Sequence, residues 1–163
     1  MVLGIVIILS ALIVIIDQVI KYFIYSNLSP DGRVTIIDGL LSFVYSENKG
    51  AAFGIFQNAT LIFAVITIAL IAVFLFLLIT KRFSGKLFTA SIILIIGGGI
   101  GNLWDRLFRG FVIDYISFSF FPPICNFADY CITIGAALFI LSIILLPESK
   151  EKSRVSEGDS DDE

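Results

Sequence analysis

Residues 59–80 read ATLIFAVITIALIAVFLFLLIT, 22 positions without one charged side chain. An α-helix needs about 20 predominantly apolar residues to cross the hydrocarbon core of a bilayer. A membrane-spanning helix is expected from Ala59 to Thr80, with Asn58 as a candidate cap.

Three more segments meet the same criterion: Val2 to about Tyr25, Leu87 to Trp104, and Phe127 to Leu146. The first has neither a charged segment before it nor a small-residue cleavage site after it, so it reads as a retained helix rather than a secretory signal. Composition agrees. Of 163 residues 58% are hydrophobic and 15% charged, and the mean hydropathy is +1.00. Soluble domains are about 45–50% apolar and about 25% charged, and a chain this short has little interior in which to hide the excess. A soluble globular enzyme is excluded. The expected fold is an all-α membrane protein of four transmembrane helices, one domain over residues 1–147.

Charge is uneven. Residues 1–147 hold eight Lys/Arg and seven Asp/Glu, whereas residues 148–163 hold three and seven. The stretch ending EGDSDDE reads as an acidic, disordered tail. No basic patch points to nucleic acid. Four spans put both termini on one side. Lys81, Arg82, Lys86, Lys150, Lys152 and Arg154 fall there, against Lys21, Arg33, Lys49, Arg106 and Arg109 on the other. That six-to-five balance leans toward cytoplasmic termini.

There is no histidine, which removes Ser-His-Asp and Cys-His catalysis and the commonest transition-metal ligand. Cys125 and Cys131 lie six apart in a stretch that reads as helical. They fall on different faces there, as packing thiols rather than a disulfide or a zinc site. No cofactor or metal set is expected.

Between the first two spans lies a loop, residues 26–58. Within it Arg33–Ile37 and Leu40–Tyr45 flank Asp38-Gly39, which predicts a β-hairpin with a two-residue type I′ turn at the membrane surface. The loop 105–126 contains Pro122-Pro123, which stop a helix. The run Asn48-Lys49-Gly50-Ala51-Ala52-Phe53-Gly54 is small and suited to close backbone approach. Gly97 and Gly101 have the spacing of close helix packing. They do not form a nucleotide loop, since no strand precedes them and no Gly-Lys-Ser/Thr follows.

Up-down topology draws the polar residues to one membrane face: Asp17 and Lys21 from span one, Asn102, Asp105 and Arg106 from span three, then Asp114, Asn126 and Asp129. Ionisable groups at membrane depth are functional candidates by default. Asp17 and Lys21 share a helical face as an ion pair, either structural or functional. Arg106 is open to two readings, a partner for carboxylates or carbonyls and a side chain snorkelling to headgroups. Asp114 and Asp129, fifteen apart, can meet if the proline loop folds them together. Two close carboxylates share one proton; the ionised member then activates water while the other polarises a carbonyl. Surface acids or an ion pathway are the alternatives. An ion or proton carrier would use Asp17, Asp105 and Asp129 as a relay, but the opposite halves of the spans are apolar. A membrane scaffold binding partners at the hairpin edge is a third reading.

Taken together, Asp17-Gln18-Val-Ile-Lys21, Asn48-Lys-Gly50-Ala51-Ala52-Phe53, Gly98-Gly99-Ile-Gly101-Asn102-Leu-Trp-Asp105-Arg106, Gly110-Phe-Val-Ile-Asp114-Tyr115 and Asn126-Phe-Ala128-Asp129 resemble the lipoprotein signal peptidases (signal peptidase II), a family of bacterial inner-membrane aspartyl peptidases. The resemblance covers about residues 17–132. It implies cleavage of prolipoproteins before a diacylglyceryl-modified cysteine, with Asp114 and Asp129 on the catalytic positions. Asn48, Gly50, Asn102, Arg106 and Asn126 match positions that line the site or contact ligand, and Asp17, Lys21 and Asp105 match supporting polar ones. It further implies a four-helix fold with an extracytoplasmic β-cradle, and inhibition by globomycin-type cyclic peptides. Cys125 departs from the family pattern, standing where a larger apolar residue, often Phe, is usual. Tyr130 stands where small residues are common. The Asp114–Asp129 interval is shorter than in many relatives.

Overall fold

The computed structural model describes residues 2–50, 60–80 and 85–145. Asn58, Lys81, Arg82, the run Ala51–Gly54 and the acidic tail therefore lie outside the described residues. Four helices, α1 (Val2–Leu28), α2 (Thr60–Ile79), α3 (Lys86–Phe108) and α4 (Phe127–Leu145), are long and apolar enough to cross a membrane. Two β-hairpins join them in pairs: β1 (Arg33–Ile37) and β2 (Leu41–Asn48) after α1, β3 (Val112–Phe118) and β4 (Phe121–Cys125) after α3.

The central helix is α3, which packs on each of the other three. Lipid tails are as apolar as leucine, so helices in a membrane associate through close packing and polar contacts rather than hydrophobic transfer. Small residues on α3 supply the closeness. A methyl added at Gly97 would stand 2.8 Å from Ile13 of α1, and one at Gly101 2.6 Å from Asp17 Oδ2. At Gly98 it would stand 2.5 Å from the Ala128 carbonyl oxygen of α4. By contrast α2 buries only Ala64 among its described residues and presents its apolar surface outward.

The expected loop 105–126 begins as the last turn of α3, which runs to Phe108 rather than ending at Trp104. It then forms β3 and β4, which extend the first hairpin into a four-stranded antiparallel sheet ordered β1-β2-β3-β4. Pro122 and Pro123 do stop a helix, but they lie in the edge strand β4, whose pairing with β3 is irregular between Ile116 and Phe118 and where a missing N–H is tolerated. Cys125 belongs to that strand and only Cys131 is helical, so the expectation of one helix for both is corrected. Both thiols are free.

The Asp38-Gly39 turn also differs from expectation. Ile37 pairs with Leu41 after a register shift beyond Thr35, so the connection is three residues long, closed by the Leu40 N–H on the Ile37 carbonyl at 3.1 Å. Gly39 takes φ 68°, a conformation that glycine adopts without strain. The β3–β4 turn reaches across to it: Ser119 Oγ donates to the Gly39 carbonyl at 2.6 Å and the Ser119 N–H to that of Leu40 at 3.0 Å. The sheet is seated on the end of α1 by Ile24, Leu28, Ile113 and Tyr115, with Phe43, Tyr45 and Phe127 around them.

Candidate active site

The start of α4 carries the site. Asn126 is its cap: the Asp129 N–H donates to Asn126 Oδ1 at 3.0 Å, and the Asn126 N–H donates to Asp129 Oδ2 at 3.1 Å. This reciprocal pair satisfies two donors at a helix N-terminus and holds the Asp129 side chain against the helix start. The remaining Asn126 group, Nδ2, donates to Asp114 Oδ1 on β3 at 2.6 Å. One fully buried asparagine thus joins the two acids that the sequence leaves fifteen residues apart.

Each carboxylate has a further donor. Asn48 Nδ2, at the end of β2, donates to Asp114 Oδ2 at 2.9 Å, and Asn102 Nδ2, on α3, donates to Asp129 Oδ1 at 2.8 Å. All four carboxylate oxygens therefore accept one N–H each. The amide orientations are determined by their other ends, because a backbone N–H or an ammonium can only donate. Asn48 Oδ1 accepts from the Gly50 N–H at 3.0 Å, Asn126 Oδ1 from the Asp129 N–H, and Asn102 Oδ1 from Lys21 Nζ at 2.9 Å. Asp114 is buried, and its carboxyl is pushed up to about 6 by burial and by the adjacent Asp129 charge, against the opposing N–H bonds of Asn48 and Asn126.

Behind the acids lies a buried charge cluster. Lys21 Nζ stands 2.8 Å from both Asp17 Oδ2 and Asp105 Oδ2, with all three side chains inaccessible. Asp17 Oδ1 also accepts the Ala128 N–H at 3.2 Å, tying α1 to the start of α4. Arg109 pairs with Asp105 and donates to Gln18 Oε1 at 2.9 Å. Two acids face two cations, as buried charge requires.

Arg106 stands apart from this cluster. It lies over the Phe63 ring with 5.7 Å to the centroid, donates to the Asn102 carbonyl at 3.3 Å, and leaves its buried Nε without a partner. Among the described residues no carboxylate lies within ion-pair distance of it.

The structure therefore brings Asn48, Gly50, Asn102, Asp114, Asn126 and Asp129 into one bonded set, with Asp17, Lys21 and Asp105 behind it and Arg106 beside it. Three participants were not singled out from the sequence. Gln18 bonds both Asp17 and Asp105 at 3.2 Å. Arg109 was legible in principle, one turn after Asp105, had span three been carried past Trp104. Tyr115 accepts the Phe127 N–H at 3.2 Å on its hydroxyl, a contact between strand and helix that no sequence spacing reveals.

The family model for signal peptidase (SPase) II matches residues 9–145. A lipoprotein signal peptidase of Caldanaerobacter subterraneus subsp. tengcongensis is 41% identical over 132 residues, 81% of this chain and 90% of that one. Its counterpart in Lactobacillus johnsonii is 39% identical over 142 residues, 86% and 92% of the two chains. A bacterial membrane enzyme solved by the in meso method superposes with a TM-score of 0.79 at 31% identity, covering 88% of this chain and 94% of that one. With four helices able to span a membrane and two acids held at one end of them, the chain belongs to the signal peptidase II family.

Proposed function

We propose that this multi-pass membrane protein is an aspartic endopeptidase that removes the signal peptide of prolipoproteins, hydrolysing the peptide bond before a diacylglyceryl-modified cysteine, with Asp114 and Asp129 as its dyad. The observation that carries this is the bracketing of the two carboxylates by Asn126, with one N–H on each of their four oxygens. A carboxylate oxygen has two lone pairs, so one N–H on each leaves acceptor capacity for a shared proton, a water and the scissile carbonyl.

The chemistry follows from a dyad holding one proton. Ionised Asp129 takes a proton from water as the water oxygen attacks the carbonyl carbon, and Asp114 gives its proton to the carbonyl oxygen. The tetrahedral intermediate then collapses. A proton passes to the amide nitrogen, the C–N bond breaks, and the products are a signal-peptide carboxyl group and the free amine of the lipidated cysteine. With one proton the dyad carries one negative charge, on which the Arg106 guanidinium acts through its field from beyond ion-pair distance. The unpartnered Arg106 Nε and the surrounding asparagines suit the backbone carbonyls of an extended peptide. The acyl chains hold the substrate by burial, about 0.8 kcal/mol per CH₂, and so position a bond they do not touch.

The same reading places residues 1–147 as one peptidase domain in the bacterial cytoplasmic membrane, with both termini cytoplasmic, residues 148–163 as a cytoplasmic tail, and the acids at the extracytoplasmic face. The balance of Lys/Arg supports that orientation, and the site is the one a globomycin-type cyclic peptide would occupy. The deciding experiment is cleavage of a diacylglyceryl-modified prolipoprotein peptide by wild type, Asp114→Asn and Asp129→Asn, each checked for folding. Cleavage by wild type and loss in both variants is expected; undiminished cleavage by either folded variant overturns the dyad.

A further inference from the structure

The three asparagines that point their amides at the dyad are not held alike. Asn48 and Asn126 are oriented by backbone N–H groups, those of Gly50 and Asp129. Asn102 is oriented by a side chain, Lys21, at 2.9 Å. Turned the other way, its amide would set N–H groups against an ammonium, donor against donor, and a carbonyl oxygen against the Asp129 carboxylate. We infer that Lys21 is a positioning residue for the reaction: by occupying Asn102 Oδ1 it aims Asn102 Nδ2 at Asp129 and keeps that carboxylate an acceptor.

Lys21 is suited to this because it has no other freedom. Its three donors meet three acceptors, Asp17 Oδ2, Asp105 Oδ2 and Asn102 Oδ1. The two carboxylates are themselves held, Asp17 by Gln18 and the Ala128 N–H, Asp105 by Gln18, Arg109 and the Ile113 N–H. The balanced cluster keeps the ammonium charged at a depth where a lone cation would be expelled. The ionisable groups about Asp129 are Asp114 and Tyr115 on β3, Cys125 on β4, Arg106 on α3 and Tyr130 on α4. Lys21 and Asp17 face it from α1, through Asn102 and the Ala128 N–H respectively. The described part of α2 holds no ionisable residue.

The inference rests on the aspartic mechanism, and its test separates the two. Lys21→Met, which leaves no donor for Asn102 Oδ1, by itself strands two buried acids, so it is made together with Asp17→Asn, which removes one charge of each sign, and compared with Asp17→Asn alone. The single variant keeps the Lys21–Asn102 pair of side chains and supplies the reference profile against which the double variant is read. The double variant is expected to lose about tenfold in kcat with KM unchanged, and to shift the acidic edge of the profile upward by about one pH unit. Asn102→Ala, which leaves the ion cluster in place, is expected to show the same displacement. A folded double variant with the profile of Asp17→Asn, or Asn102→Ala with that of wild type, overturns the role of Lys21. Cleavage retained by folded Asp129→Asn overturns the aspartic mechanism itself, and this inference with it.

Discussion

Asn126→Ala is the most informative single substitution, because that side chain serves two purposes that can be separated. It removes the oxygen that caps α4, bonded to the Asp129 N–H at 3.0 Å, and the amide that donates to Asp114 at 2.6 Å. Losing a cap of this kind costs about 1 kcal/mol. The lost donor acts on Asp114, whose carboxylate form it favours. A hydrogen bond to a charged group contributes about 1.5–3 kcal/mol, equivalent to about one to two pH units. Asp114, already pushed up to about 6, should therefore rise further, carrying the alkaline edge of the pH–rate profile upward by about one unit or more. At the optimum kcat should still fall, by about a hundredfold, since the acids lose their common tether. Asn126→Ser separates the effects: its hydroxyl restores a cap but cannot reach Asp114, so it should recover thermal stability without restoring the profile. The assay is peptide cleavage against pH in detergent micelles, beside thermal unfolding of each variant. An unmoved alkaline edge in folded Asn126→Ala, with kcat within twofold of wild type, would refute the reasoning.

Stability should also report Asp114 directly. Its folded value of about 6 lies above the ordinary carboxyl value of 3.8, so the folded state binds the proton more tightly. The associated stabilisation is present below about pH 4 and is lost as pH rises through about 6, about 3 kcal/mol in all; Asp114→Asn should flatten that part of the stability profile. Gly101→Ala should destabilise by about 1–3 kcal/mol, because its methyl would press on Asp17 Oδ2 at 2.6 Å, and a melting temperature equal to wild type would show that α1 and α3 separate freely. Tyr115→Phe removes the acceptor of the Phe127 N–H and should cost about 1–3 kcal/mol of stability, read by thermal unfolding, while the requirement for both acids in cleavage persists.

Helices and site were legible in the sequence to different depths. Long apolar runs allow few alternatives, because an unpaired backbone group in hydrocarbon costs several kcal/mol and only a helix satisfies it locally. Among the described residues the expected span 59–80 falls on the helix Thr60–Ile79, and the glycine spacing at Gly97 and Gly101 announces close packing. The loops were read less fully. Arg33–Ile37 and Leu41–Asn48 are announced by the Asp-Gly turn signal near their junction, whereas no such signal separates Val112–Phe118 from Phe121–Cys125, and the latter holds two prolines. The Asp38-Gly39 turn took its three-residue form alongside bonds from Ser119, some eighty positions away.

By itself the sequence determined that the chain lives in a membrane, that it has no histidine for catalysis, and which acids and amides crowd toward one end of the helices. Those conclusions rest on composition and on helical period, which are local. Only the tertiary structure decided how these groups are bonded. Asn126 becomes a bridge because β3 delivers Asp114 to the start of α4, and Lys21 becomes an anchor because glycines on α3 let α1 approach closely enough for Asp17, Asp105 and Asn102 to share one ammonium. A hydrogen bond is directional and spans about 3 Å, so which amide faces which carboxylate depends on how separate elements pack. No spacing along the chain encodes that.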